Sequence, residues 1–254
     1  MVKRFNFGIN WSNFSENSLN KKKFNDAVHS LNVLIGQDTI KGKSFLDIGC
    51  GSGIFSLAAR VLKAKRVVGF DISKESIDTS NLNKKRLNID GVTFFRKSIL
   101  DNDYRSLGTF DIIYSWGVLH HTGKMWEAIK HSSELVRPKG HFVIAIYNRH
   151  WSSVIWKLIK FTYNQAPTWI KKMSIFFFFP VLYLGKLVTT MKNPLKKQRG
   201  MSFYYDVVDW IGGYPYEYAS KKEIKNFVES RGLRLIKYIK STVPTGCNEF
   251  VFEK

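Results

Sequence analysis

Cysteine is almost missing from this 254-residue chain, with Cys50 and Cys247 as its two thiols. That excludes a disulfide framework and implies a reducing compartment. No cluster of Cys and His has ligand spacing, so no metal is expected. Met1 to Phe14 lacks the apolar core of a signal peptide, which makes the cytoplasm the expected location. Internal repeats are absent. So is any long uninterrupted apolar run: the longest, Ile175–Leu184, is short and contains Pro180. A spanning helix needs about 20 apolar residues, so no transmembrane segment is expected. Carboxylates disappear between Glu134 and Asp206, while Arg137, Lys139, Arg149, Lys157, Lys160, Lys171, Lys172, Lys186, Lys192, Lys196, Lys197 and Arg199 fall there.

What is present defines a globular chain. It is 44% hydrophobic and 15% aromatic, enough for a packed core and against global disorder. The length suits one α/β domain with an insertion. A net charge of +20 attracts anionic partners: nucleic acid, an anionic membrane surface or an anionic substrate. Lysines scattered beside Asn and Ile also arise from codon bias, so their concentration in one segment says more than the total.

From Lys43 to Tyr147, short apolar runs alternate with helical stretches. Lys43–Ile48, Arg66–Asp71, Val92–Arg96, Phe110–Ser115 and His141–Tyr147 read as buried strands, the last preceded by a break at Pro138 and Gly140. Ile54–Leu62, Lys74–Asn88 and Met125–Leu135 read as helices, and Lys21–Leu34 as an extra one before the first strand. Such alternation implies a parallel sheet covered on both faces. Residues 149–215 break it. It resumes at Ser220-Lys-Lys-Glu223, a capping box opening a helix, and two terminal strands follow, Arg234–Val243 and Glu249–Phe252. The expected division is an N-terminal helical lid (1–42), a cofactor-binding core (43–148), a basic apolar insertion (149–215) and the end of the core (216–254).

Chemistry concentrates at two strand ends. Phe45-Leu46-Asp47-Ile48-Gly49-Cys50-Gly51-Ser52-Gly53 is an apolar strand, an acid and alternate glycines. A dinucleotide fingerprint has a third glycine where Ile54 stands. The carboxylate before the loop would repel a pyrophosphate, but it suits a ligand carrying ammonium and sulfonium groups. Asp71 ends the second strand, where an acid can accept both ribose hydroxyls. These segments resemble motif I and the acidic strand end of class I S-adenosylmethionine-dependent methyltransferases. The resemblance covers roughly residues 43–147 and 220–254. It implies a Rossmann-like, seven-stranded, mostly parallel sheet with a reversed last strand, and S-adenosyl-L-methionine as cofactor. It further implies that Asp47, Gly49, Gly51 and Gly53 line the methionine part and that Asp71, with Ile72, holds the ribose end. Many members place an Asp over the adenine edge where this chain has Ser98 or Ile99. Ser115 and Trp116 complete the expected cofactor set.

The fourth strand runs into Ser115-Trp116-Gly117-Val118-Leu119-His120-His121-Thr122. This is similar to the segment after strand four in small-molecule methyltransferases, including the O-methyltransferases of quinone biosynthesis, which often show Glu-His there. Together with Arg199-Gly200-Met201-Ser202 and Asp209–Pro215 it also resembles a group of bacterial methyltransferases. An alcohol or phenol acceptor must lose a proton, and His120 and His121 are the candidate bases; the alternative is that one of them only tethers the loop. Trp11 and Phe14 are candidates for a cover over the cofactor. Tyr147 and Asn148 at the end of the fifth strand, and Tyr204, Tyr205, Asp206, Asp209, Trp210, Tyr214 and Glu217, are candidates for the substrate wall, with packing of the insertion as the alternative.

Val154, Ile155, Leu158, Ile159 and Thr162 form a helical stripe, with Lys157 and Lys160 expected opposite it. A stripe flanked by lysines suits a helix lying in a membrane interface, or else a subdomain packed on the core or on a second subunit. The leading expectation is an enzyme that methylates a small molecule on oxygen, lipid-linked or membrane-delivered, at the inner membrane face. The alternatives are an RNA methyltransferase and a non-catalytic cofactor-binding or membrane-associating protein.

Overall fold

The apolar runs pair side by side. In the computed structural model, which describes residues 5–191, 193–195 and 202–254, seven strands form one sheet in the order β3-β2-β1-β4-β5-β7-β6. They are β1 (Ser44–Ile48), β2 (Arg66–Asp71), β3 (Val92–Arg96), β4 (Phe110–Trp116), β5 (Val136–Tyr147), β6 (Arg234–Ile239) and β7 (Cys247–Glu253). The first five are parallel, and β7 is antiparallel to both neighbours. The reversed last strand is therefore in place. The chain winds outward in opposite directions from the β1–β4 pair, and open sheets hold ligands at the carboxyl ends of strands beside such a reversal. Lys192, Lys196, Lys197 and the Arg199-Gly200-Met201 part of the expected motif lie outside the described residues.

Alternation along each strand divides the core in two. Phe45, Ile112, Tyr114 and Val143 face one cluster. Leu46, Ile113, Phe142 and Ile144 face the other, on the opposite side of the sheet. The helices α2 (Lys21–Ile35) and α4 (Ile54–Val61) contribute to the first cluster, and α6 (Met125–Glu134) and α10 (Lys221–Glu229) to the second. Between these lie the short α3 (Gln37–Ile40) and α5 (Lys74–Arg86). The capping box of α10 forms as expected, Ser220 accepting from Glu223 N and Glu223 accepting from Ser220 N. Two boundaries differ from expectation. Pro138 and Gly140 do not precede β5 but sit within it, in a bulge between the pairs Phe110–Val136 and Ile112–His141. The residues before the first expected helix form a helix of their own, α1 (Phe7–Ser18), capped by the Asn6 side chain.

The insertion is three helices: α7 (Ser153–Gln165), α8 (Thr168–Thr190) and α9 (Phe203–Gly212). Two expectations are corrected here. The apolar segment is not short, because α8 runs through Pro180 for 23 residues. By length and composition alone it could cross a membrane, and nothing in that window is buried inside the protein. The polarity of α7 also differs from expectation, although Lys157 is exposed and Ile159 packs on the third cluster as a stripe would. Val154, Ile155 and Leu158 face outward, whereas Lys160, Tyr163 and Asn164 are buried. The polar face packs inward because partners wait there: Asn164 Nδ2 donates to the carbonyls of Gly212 (2.6 Å) and Lys160 (2.8 Å).

Candidate functional site

β1 carries Asp47 to the ligand edge and buries it. Its Oδ2 accepts from Ser56 Oγ at 2.6 Å. Burial pushes the carboxyl up to about 7, against the Ser56 hydrogen bond and with help from the nearby Asp71 charge. Asp71, at the end of β2, accepts from Gly51 N (3.0 Å) and Ser73 N (2.9 Å). Burial raises its pKa while these backbone bonds oppose the rise. Each carboxylate oxygen retains acceptor capacity beyond these bonds, which leaves room for ribose hydroxyls. The turn between the acids is anchored by Gly49 N and Cys50 N, both donating to the Phe70 carbonyl. Gly51 sits at φ 55°, and a Cβ there would lie 3.3 Å from the Trp11 indole. Gly49 lies against Val118, and Gly53 is the cap of α4.

Helix α1 lies over this cradle. A Cβ on Gly8 would stand 2.0 Å from Ser73 Oγ, so only glycine lets α1 sit so close to the loop after β2. One turn on, Trp11 reaches Gly51. The same helix is tied to α9: Asn10 Nδ2 donates to Asp209 Oδ1 (2.7 Å) and the Tyr205 carbonyl (3.1 Å), and Tyr205 Oη donates to the Asn13 carbonyl. Phe14 is fully buried beneath Trp11 and Tyr205, so it supports the cover from below.

The geometry fits S-adenosylmethionine. Two acids bracket a glycine turn that brings backbone to the ligand edge, and Ile72, 62% exposed beside Asp71, offers an apolar surface for a flat base. Ser98 is held by Asp101, whose Oδ2 accepts from Ser98 N at 2.9 Å. Ile99 points into the second core cluster, and its carbonyl meets His131 Nδ1 at 2.9 Å. Ser115 is buried and donates to the Ile48 carbonyl (3.0 Å), tying β4 to β1. Trp116 Nε1 donates to Glu249 on β7 (3.1 Å).

His120 and His121 occupy a short 3-10 turn, Leu119–His121. His120 is fully buried against Tyr147, ring centroids 4.1 Å apart. Tyr147 N–H approaches its Nδ1 at 3.4 Å and the Ala145 backbone also bonds to the ring, while Nε2 has no partner. His121 Nδ1 donates to the Pro215 carbonyl at 2.6 Å, leaving its Nε2 as the lone-pair nitrogen. Burial, reinforced by Lys160, pulls His121 down to about 3; burial, His121 and Lys160 together hold His120 well below its usual range. Both rings are neutral at working pH. Such weak proton acceptors orient an acceptor oxygen better than they deprotonate it.

The remaining expected wall residues separate. Tyr147 joins the histidines, Trp210 and Tyr216. Asn148 instead links to Asn248 and the Pro244 carbonyl. Tyr204 is exposed beside Tyr205, and Tyr214 packs on Phe161 while its carbonyl accepts from Phe5 N. Asp206 pairs with Lys186 at 2.6 Å on the wall of an apolar cleft of about 270 Å³, lined by Trp156, Val181, Phe203, Val207, Trp210 and Pro244 among others. Sequence reasoning found Trp210 but missed Trp156, Lys160 and Tyr216. For Lys160 the helical period pointed the wrong way; the aromatic content of the insertion was the available signal for the others.

Comparison with known proteins agrees with this geometry. A family model described as "Methyltransferase domain" matches residues 19–238. The ubiquinone biosynthesis O-methyltransferase of Vibrio campbellii is 30% identical over 128 residues, 50% of this chain and 53% of that protein; that of Coxiella burnetii is 27% identical over 135 residues, 52% and 56%. The chain thus spans about half the length of the curated relatives it matches. Among solved structures, magnesium protoporphyrin IX methyltransferase from Synechocystis PCC 6803 with bound SAH superposes with a TM-score of 0.56 at 15% identity, covering 89% of this chain and 81% of that one. At that identity the likeness speaks for the fold. The chain belongs to the methyltransferase-domain family. It has the fold and cofactor cradle of a class I S-adenosylmethionine-dependent methyltransferase.

Proposed function

We propose that the protein transfers the methyl group of S-adenosylmethionine to an oxygen of a small, largely apolar acceptor that reaches it from the inner, cytoplasmic face of a membrane. The observation that carries this reading is the apolar cleft between α7, α8, α9 and the turn Val243–Thr245. It lies one side chain, Trp210, from Tyr147 at the ligand edge. Val181 belongs both to the lining of the cleft and to the outward, uncovered face of α8, so the cleft opens beside that face. The relatives' role as O-methyltransferases supports oxygen as the acceptor atom.

The chemistry is an in-line displacement at carbon. With its proton lost to water, the acceptor oxygen would attack the methyl carbon as the carbon–sulfur bond breaks and its electron pair goes to sulfur. Asp47, Asp71 and the Gly49–Gly53 turn hold the cofactor while Trp11 covers it. The neutral histidines fix the acceptor in line, and such positioning supplies much of the acceleration. The test is incubation of cell extract with S-adenosylmethionine carrying a labelled methyl group. Label in an organic-extractable fraction, as a methyl ether or ester, is the expected result. Label in RNA would establish the RNA methyltransferase alternative, and no transfer to any fraction would leave a cofactor-binding protein without this activity.

A further inference from the structure

Lys160 is unexplained by packing or by cofactor binding. An ammonium has three N–H donors, yet this one is 2% exposed. Its Nζ donates to the Trp210 carbonyl. Otherwise it meets rings, with the centroids of Tyr216, Tyr147 and Trp210 at 4.9, 5.6 and 6.0 Å. Among the described residues no carboxylate lies within ion-pair distance of it. Burying a cation in this way is costly, and a Leu or Met would fill the same space.

A second, independent observation lies beside it. His120, fully buried, has its Nε2 without a partner, and the indole Nε1–H of Trp210 has none either. All three groups are arranged around the Tyr147 ring, at the end of β5. Trp210 links Lys160 to the apolar cleft, since it belongs to the lining of the cleft and its carbonyl holds the ammonium. The other ionisable groups facing this spot are His121 from the turn after β4, Asp209 from α9, Cys247 from β7 and Tyr216 before α10. Asp209 and Cys247 act to keep Lys160 charged, and burial outweighs them, bringing it to about 7. An unmet indole donor and an unpartnered imidazole nitrogen beside a cation are the chemistry of an anion site.

We propose that Lys160, His120 Nε2 and Trp210 Nε1 form an oxyanion site that binds the methyl acceptor through an ionised oxygen: a phenolate, an enolate or a carboxylate. The inference rests on the oxygen-methylation reading above and narrows it. The acceptor's proton goes to water as it binds, so no base is needed in the site, in keeping with histidines that hold protons weakly. The oxyanion then attacks the methyl carbon, the carbon–sulfur electron pair passes to sulfur, and sulfonium and oxyanion are neutralised together. The product, a neutral ether or ester, no longer matches the ammonium and leaves.

The experiment uses 4-nitrophenol, whose ionisation is visible by absorbance, and 4-nitroaniline as its amine counterpart, with the whole protein loaded with S-adenosylhomocysteine. At a pH about one unit below the phenol's own pKa, saturable binding should produce the phenolate spectrum. Lys160→Met should weaken that binding roughly ten- to hundredfold, leave S-adenosylhomocysteine affinity unchanged, and leave the aniline unaffected. Binding of the neutral phenol, no saturable binding, or equal affinity in Lys160→Met would each overturn the site. The spectrum of the unaltered protein decides the matter even if the variant does not fold. If labelled methyl groups enter oxygen acceptors but the phenolate is not bound, the site is wrong and the broader function stands. Label on amine nitrogen removes both.

Discussion

Asp47 shows how one buried carboxyl at the cradle ties stability to pH. Its ordinary pKa is 3.8, and burial raises it to about 7 in the fold. The folded state therefore binds the proton more tightly than the unfolded one, and stability falls as pH climbs from about 4 to about 7, where the folded group finally ionises. Asn in its place still accepts from Ser56 but cannot ionise. The melting temperature of Asp47→Asn relative to the parent, both without cofactor, should rise across that window and level off above it; a pH-independent difference would show that Asp47 ionises freely. Asp47, Asp71 and the glycines between them were legible because strand, turn and acid repeat in a fixed local order. Lys160 was not, because helical periodicity reports which residues share a face and not which face is buried. Here the partners of Asn164 and Lys160 on α9, some fifty residues on, decide that.

Among the elements, α1 has the most to do for its size. It bridges two parts of the chain that otherwise touch little at the cofactor: Gly8 and Trp11 rest on the cradle, while Asn10 and Asn13 bind α9. Cofactor cover and insertion are thereby joined through one helix. Trp11→Ala should weaken S-adenosylhomocysteine by about 1–2 kcal/mol, roughly five- to thirtyfold, by removing the aromatic face above Gly51. Calorimetry beside a melting curve checks this, because Trp11 also packs on the first core cluster. Unaltered affinity in a protein of normal stability would mean that Trp11 covers no ligand. The core strands of β1 to β5 were read within a few residues, since a strand buried on both faces is a continuous apolar run. Within the helical lid the sequence marks α2 but not α1. Its sequence, Phe7–Ser18, mixes polar and apolar residues without a clean stripe, because it packs on two different neighbours. β5 was read as starting late because Pro138 and Gly140 resemble a break, whereas a bulge absorbs them.

At the scale of the whole molecule, charge and apolar surface are placed together. The net charge is +20, and residues 135–205 contain no carboxylate. That stretch carries the outward stripe Trp169, Met173, Phe176, Phe177, Val181, Leu184 and Val188 on α8, continued on α7 by Val154, Ile155 and Leu158. Phe176 and Phe177 are 76% and 61% exposed, whereas Phe178 and Phe179 pack inward on the third cluster, so two faces of one helix serve two purposes. An exposed apolar stripe of this extent with exposed Lys157 and Lys172 near it matches a bilayer interface, with the helix lying along the surface. Each Lys or Arg near an anionic surface contributes about 1 kcal/mol, and each fully buried Phe roughly 1.5–3 kcal/mol. The protein should then sediment with anionic vesicles, less with neutral ones, and detach in part at high salt as the first contribution is screened. Replacing Phe176 and Phe177 with Ser should abolish most of what remains at high salt while leaving the melting temperature and cofactor affinity unchanged, since neither ring supports the core. A drop in melting temperature, or dissociation of a dimer, would place these rings in a protein interface instead, and a parent protein that ignores anionic vesicles at low salt would end the membrane reading.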